Sequence, residues 1–181
     1  MTEATAFGKT YPSKGPSTRP WTAGGCRWHR VLMTDDDDLR PGEVAVPLPP
    51  DTDAGVYFIG TIHTPWHSRA ECPKRGTPDG PICTIVVEER WRQALAGIGD
   101  HPKIQVLYWM HQARRDLVVQ KPIRTGKTAG TFALRSPVRP NPIASSVVEL
   151  VSVQDGILQV RGLDCLDGTP LIDLKPDRRP A

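Results

Sequence analysis

From Gly55 onward the chain is written in short runs of β-branched and aromatic residues separated by turn formers, and that pattern restricts the folds open to it. Residues 56–59 with 61–63, 82–87, 104–110 and 117–119 read as strands, as do 131–134, 146–153 and 157–160. The last two flank Gln154-Asp155-Gly156, an Asp-Gly turn of the kind that closes a hairpin. One helix is expected over 88–96, bringing Trp91, Ala94 and Leu95 to one face and stopping at Gly97 or Gly99. Many short strands and one helix predict an all-β fold with minor α, arranged as a small β-barrel. No glycine-rich strand–turn–helix is present, so a Rossmann cofactor site is not supported.

At 181 residues the chain is long enough for one ordinary domain that buries a core without disulfides. A net charge of +3 permits contact with nucleic acid without demanding it. No apolar run approaches the roughly 18 residues of a membrane span, and the N-terminus has no apolar signal core. Cys26, Cys72, Cys83 and Cys165 form no Cys-x-x-Cys pair and read as free thiols, several of them in the core, although a Cys72–Cys83 bridge is conceivable. The expectation is a soluble cytoplasmic protein. Residues 1–54 are Pro/Gly-rich and read as an N-terminal extension, leaving 55–181 as the barrel domain. Within the extension, 30–33 and 43–46 are expected to order as short strands or arms, and Asp35 to Asp38 to form a solvated loop.

Function is carried by the run Gly130-Thr-Phe-Ala-Leu-Arg-Ser-Pro-Val-Arg-Pro-Asn-Pro-Ile143. Proline fixes φ and biases the preceding residue toward extended conformations. Arg135, Ser136, Arg139 and Asn141 are thereby preset before a ligand arrives, and the ordering entropy is spent at folding rather than at binding. The two arginines have little evident structural task. A second run, residues 162–176, interleaves Asp164, Asp167 and Asp173 with apolar residues around an Asp-Gly turn.

Together the two runs resemble the TrmO/TsaA-like family of S-adenosylmethionine-dependent tRNA methyltransferases. Ile59-Gly-Thr-Ile-His-Thr-Pro-Trp66 and Val106-Leu-Tyr-Trp-Met-His111 add to the likeness, which covers residues 56–176. The resemblance implies an antiparallel barrel, S-adenosylmethionine as cofactor, tRNA as partner and a homodimer with active sites near the subunit boundary. Carried over to this sequence, the cofactor-binding residues are Lys74, Arg75, Gly76, Met110, His111, Arg135, Ser145, Gly162, Leu163, Asp164 and Leu166. Arg139 and Asn141 are implied to meet RNA, Asp164 is the candidate general base, and no metal is expected.

The implied reaction is in-line methyl transfer to N6 of threonylcarbamoyladenosine beside the anticodon. Such a step asks mainly for alignment, which can supply about 7–11 kcal/mol. The modified base carries its own carboxylate, a good match for guanidinium forks. Basic residues including Arg69, Arg114, Arg115 and Lys121 can track phosphates or form an ordinary basic surface. Other candidates carry plain structural readings: His111 as a capping residue, Met110 as core, Asp167 as a turn acceptor, Asp173 as half of a surface ion pair. Trp66 and Trp109 can stack on bases or fill the core. Ala144 stands where the family usually has glycine, and the likeness stops short of the C-terminal domain of longer members. A non-catalytic S-adenosylmethionine-binding regulatory or interaction module is the alternative.

Overall fold

The computed structural model describes residues 39–178. The expectations for 30–33 and for Asp35 to Asp38, and the state of Cys26, fall outside these residues. Nine strands are found among them: β1 (Val44–Ala45), β2 (Gly60–His63), β3 (Ile82–Val87), β4 (Lys103–Trp109), β5 (Leu117–Gln120), β6 (Ala129–Gly130), β7 (Ile143–Gln154), β8 (Ile157–Arg161) and β9 (Thr169–Pro176). Six of them close into a barrel in the order β2-β3-β8-β7-β4-β9, with every pairing antiparallel. The other three form a separate sheet, β1-β5-β6.

Alternation drives the closure. Along β3 and β4 every second residue is buried, and Ile62, Ile85, Ile104, Val106, Val148, Leu158, Val160 and Leu171 fill the interior. Each such side chain contributes about 1.5–3 kcal/mol when removed from water. The β7–β8 hairpin turns at Asp155 and Gly156, both at positive φ (51° and 83°), the geometry that matches strand twist. Between β4 and β9 the register slips at Leu107/Tyr108, so that Leu107 faces Asp173 while Tyr108 faces Leu171. The extra residue, Ile172, lies on β9, and the inward alternation of β4 continues unbroken through Tyr108.

Three expectations are corrected. Residues 131–134 are not a strand: Thr131–Ala133 is a 3₁₀ turn, in which the Thr131 hydroxyl is buried to donate to the Leu117 carbonyl while Phe132 lies 84% exposed. Residues 56–59 are irregular, and β2 begins only at Gly60. The helix is 3₁₀, Glu89–Leu95, and Ala94 is exposed, leaving Trp91 and Leu95 to pack on the barrel. It has no side-chain N-cap, and besides that packing it is held by Arg92 Nε donating to the Val87 carbonyl at 3.4 Å and by the Tyr57 ring 6.2 Å from that of Trp91. The strand β9 was not foreseen. Cys72, Cys83 and Cys165 are free thiols, the last two buried.

Candidate functional site

After β8 the chain turns at Gly162, whose φ of +104° favours glycine, and crosses one end of the barrel before entering β9. Leu163, Cys165 and Leu166 plug into the interior. That anchoring holds Asp164 at a fixed place between them. Its Oδ1 accepts from the Tyr108 hydroxyl at 2.6 Å and from Ser146 Oγ at 3.0 Å, and the two hydroxyls lie 2.9 Å apart. Burial, followed by the neighbouring Asp164 carboxylate, pushes the Tyr108 phenol far above its ordinary range, so it stays a donor. Both bonds fall on Oδ1, which fixes the carboxylate's direction.

Gly76 packs directly on this turn. A Cβ there would stand 1.9 Å from the Gly162 carbonyl oxygen, so only glycine fits. Arg161 Nη1 donates to the Gly80 carbonyl at 2.6 Å and pins the same loop to β8. A cavity of about 200 Å³ opens here, and Gly76, Thr77, Lys103, Glu149, Arg161 and Gly162 are among the residues that line it. Lys74 and Arg75 are exposed on the loop. Cys72 begins it; burial and then the Asp164 charge raise its thiol, and Arg69 opposes them. Lys74 to Gly76 and Gly162 to Asp164 therefore share one corner.

The proline-rich run is braced by more than its prolines. Arg139 Nε donates to the Ser136 carbonyl at 2.9 Å and Nη2 to that of Leu134 at 2.5 Å. Gln120 Nε2 reaches the Val138 carbonyl at 2.6 Å and Thr131 Oγ1 at 2.8 Å. Arg115 Nε donates to the Pro140 carbonyl at 2.6 Å while its guanidinium lies 5.3 Å from the Trp109 ring centre. The expectation that both signature arginines lack a structural task is thus corrected for Arg139, whose fork shapes the loop. Arg135 is exposed and has no ion pair among the described residues. With Ser136 and Leu134 it lines a second cleft, of about 560 Å³, to which Arg40, Arg69 and Arg114 also contribute. Asn141 is exposed further along.

The remaining candidates lie at the end of β4, on β7 and along the run that leads into β9. Met110 packs on the core, and its amide donates to the Pro142 carbonyl at 2.8 Å. His111 follows it in the turn after β4, half-buried, and that burial lowers its pKa against a backbone bond at Trp109. Ser145 points to the outer face of β7, where Gln105 Nε2 donates to it at 2.8 Å. Side chains alternate across a strand, so Ser146 rather than Ser145 meets Asp164. Asp167 accepts from the Thr64 amide and His63 Nδ1, both at 3.1 Å, and Asp173 pairs with Lys175 at the surface. Tyr108 and Ser146 were missed by the sequence reading; the signal was their parity on β4 and β7, legible only once the register is known. No group of His, Cys, Asp and Glu among the described residues is arranged to hold a metal ion.

Residues 61–178 match the model of the tRNA-methyltransferase O N-terminal domain. The chain is 49% identical over 140 residues to the probable S-adenosyl-L-methionine-binding protein VirR of Rhizobium radiobacter, covering 77% of this chain and 80% of that protein. It is 41% identical over 88 residues to the putative S-adenosylmethionine-dependent methyltransferase RcsF of Pseudomonas aeruginosa, covering 46% and 38%. The crystal structure of TrmO from Pseudomonas aeruginosa superposes with a TM-score of 0.57 at 29% identity, over 70% of this chain and 56% of that one. The chain thus spans little more than half the length of that solved structure.

Proposed function

This chain belongs to the tRNA-methyltransferase O N-terminal domain family, and from that premise we propose that it transfers a methyl group from S-adenosylmethionine to N6 of threonylcarbamoyladenosine at anticodon-loop position 37 of tRNA. One observation carries the reading: the corner formed by Gly76, Gly162 and the oriented Asp164 combines close backbone approach with a directed carboxylate. That donor set suits S-adenosylmethionine. Backbone edges at glycines take a flat adenine, the Asp164 carboxylate takes a hydroxyl or ammonium, and Met110 supplies apolar surface. When bound, the cofactor supplies an electrophilic methyl group.

The protein's own part is alignment. Lys74, Arg75, Gly76, Met110, His111, Gly162, Leu163, Asp164 and Leu166 form the cofactor side, and Ser145, turned to the outer face of β7, is left out of it. Asp164 accepts the proton that the carbamoylated N6 sheds as it gains its methyl group. Arg135 engages an oxyanion of the RNA, and Arg139 acts on RNA through the loop shape it fixes, with Asn141 exposed beside it. We place the reaction in the cytoplasm and in a homodimer. Light scattering that gives a monomer mass at micromolar concentration with full activity would exclude the dimer. Relatives named only for binding S-adenosylmethionine favour a second reading, a non-catalytic module; the open arginine-lined cleft favours the enzyme. Labelled methyl transfer to total tRNA from a strain lacking the gene tests the two. Label in tRNA supports the enzyme, and cofactor binding with no transfer supports the module.

A further inference from the structure

The wall of the second cleft is not built by the family-matched stretch alone. Residues 39–46 precede the match, yet they dock on the second sheet: Val44 pairs with Val119, Ala45 with Leu117, and the Val46 amide donates to the Asp116 carbonyl at 2.9 Å. Gly42, at φ +90°, makes the turn that admits this segment. Glu43 is the anchor. Its side chain is 2% exposed and accepts from the Lys121 amide at 2.9 Å, the Arg40 amide at 3.2 Å and Arg40 Nη2 at 2.5 Å. A buried carboxylate with three donors is a built feature, because leaving it unpaired would be strongly unfavourable. Arg40 holds it while its own side chain stays 44% exposed at the cleft wall.

The charges in the cleft do not cancel. Arg114 is held by Asp116 through two bonds of 2.9 and 2.8 Å, and Arg40 by Glu43. Arg69 and Arg135 have no ion pair among the described residues. Beside them stand Leu117, Leu134 and an Ile123 that is 89% exposed. An occupant that satisfies both halves carries an oxyanion next to a flat apolar surface, which is the chemistry of a nucleotide.

We infer that residues 39–46 complete the acceptor cleft and that Arg40 is an acceptor-binding residue, meeting an oxyanion of the RNA alongside Arg69 and Arg135. The inference rests on the methyltransferase reading above. The oxyanion is a backbone phosphate or a carboxylate carried on the base, and the two are separable by experiment.

The test uses the full chain and an anticodon stem-loop RNA, prepared with and without the carboxylate-bearing adenosine. Arg40→Gln keeps a donor for Glu43 and removes the charge. It raises the KM for RNA by about three- to tenfold with kcat held, and flattens the slope of log affinity against log salt by about one. Arg40→Lys restores most of the slope. The thermal shift produced by S-adenosylmethionine stays that of the wild type. A penalty equal on both RNAs identifies a phosphate; one confined to the modified RNA identifies the carboxylate. Unchanged KM and slope, or a loss of melting temperature matched by an equal fall in kcat, overturns the inference. If the wild type binds RNA but transfers no methyl group, the methyltransferase reading fails, and the affinity and salt slope still decide the role of Arg40.

Discussion

The Tyr108 hydroxyl donates to Asp164 Oδ1 at 2.6 Å, reaching from inside the barrel wall to the loop that crosses its end. A strand thereby sets the direction of a carboxylate 56 residues further along the chain, and Ser146 adds a second donor from the neighbouring strand. Tyr108→Phe should lower the unfolding free energy by about 1–3 kcal/mol, because a partly buried carboxylate loses one of two donors. Methyl transfer should fall further than that loss explains, since Asp164 can then rotate. Urea unfolding beside initial rates checks both. A variant with wild-type rates would show that the direction of Asp164 is irrelevant to the reaction.

At Gly76 the constraint is steric. With the Gly162 carbonyl 1.9 Å from a notional Cβ, Gly76→Ala must displace the loop or the turn. Overpacking of this sort costs about 1–3 kcal/mol. Calorimetry should show weakened binding of S-adenosylmethionine in a protein that still melts cooperatively. Cofactor binding equal to that of the wild type would place the cofactor away from this corner.

Much of the barrel could be read in the sequence because its strands alternate. Residues 82–87, 104–110 and 157–160 were expected as strands and became β3, β4 and β8 with ends shifted by at most one residue. β9 was hidden. Pro170 and Pro176 look like loop punctuation, and Asp173 interrupts the apolar pattern, but pairing with β2 and β4 overrides local preference. Thr131 misled in the opposite direction: its β-branched side chain suggests a strand, yet what is buried is its hydroxyl, bonded to Leu117. Asp164 stood out from its surroundings in sequence. Its partners did not, because choosing Ser146 over Ser145 needs the β7 parity and choosing Tyr108 needs the β4 register.

Arg139→Ala removes a fork that holds two carbonyls of its own loop, those of Leu134 and Ser136. Hydrogen bonds from a charged donor contribute about 1.5–3 kcal/mol together with the geometry they impose. The variant should bind S-adenosylmethionine normally, raise the KM for tRNA and melt earlier. Arg139→Lys should not recover the loss, since an ammonium cannot reproduce the planar fork. Full recovery by lysine would mean that the charge, and not the brace, is what the loop uses.

Asp116 gives the acid limb of stability a definite sign. Its carboxyl is held below the ordinary carboxylate range, chiefly by the hydrogen bonds from Arg114, with burial opposing. A depressed folded-state pKa means that the unfolded chain binds the proton more readily, so the stabilisation is complete above the ordinary value of 3.8 and is lost as pH falls through the lower folded value. The pair also holds a residue whose backbone carbonyl receives the Val46 amide, so its loss loosens the attachment of β1 to β5. Asp116→Asn should therefore be less stable than the wild type near pH 6, and the two urea curves should converge as pH is lowered below about 3. Convergence is the diagnostic feature, because a purely steric effect of the substitution would persist at every pH. A gap between the two proteins that stays constant from pH 6 to pH 2 would show that the Arg114–Asp116 pair contributes nothing through its charge.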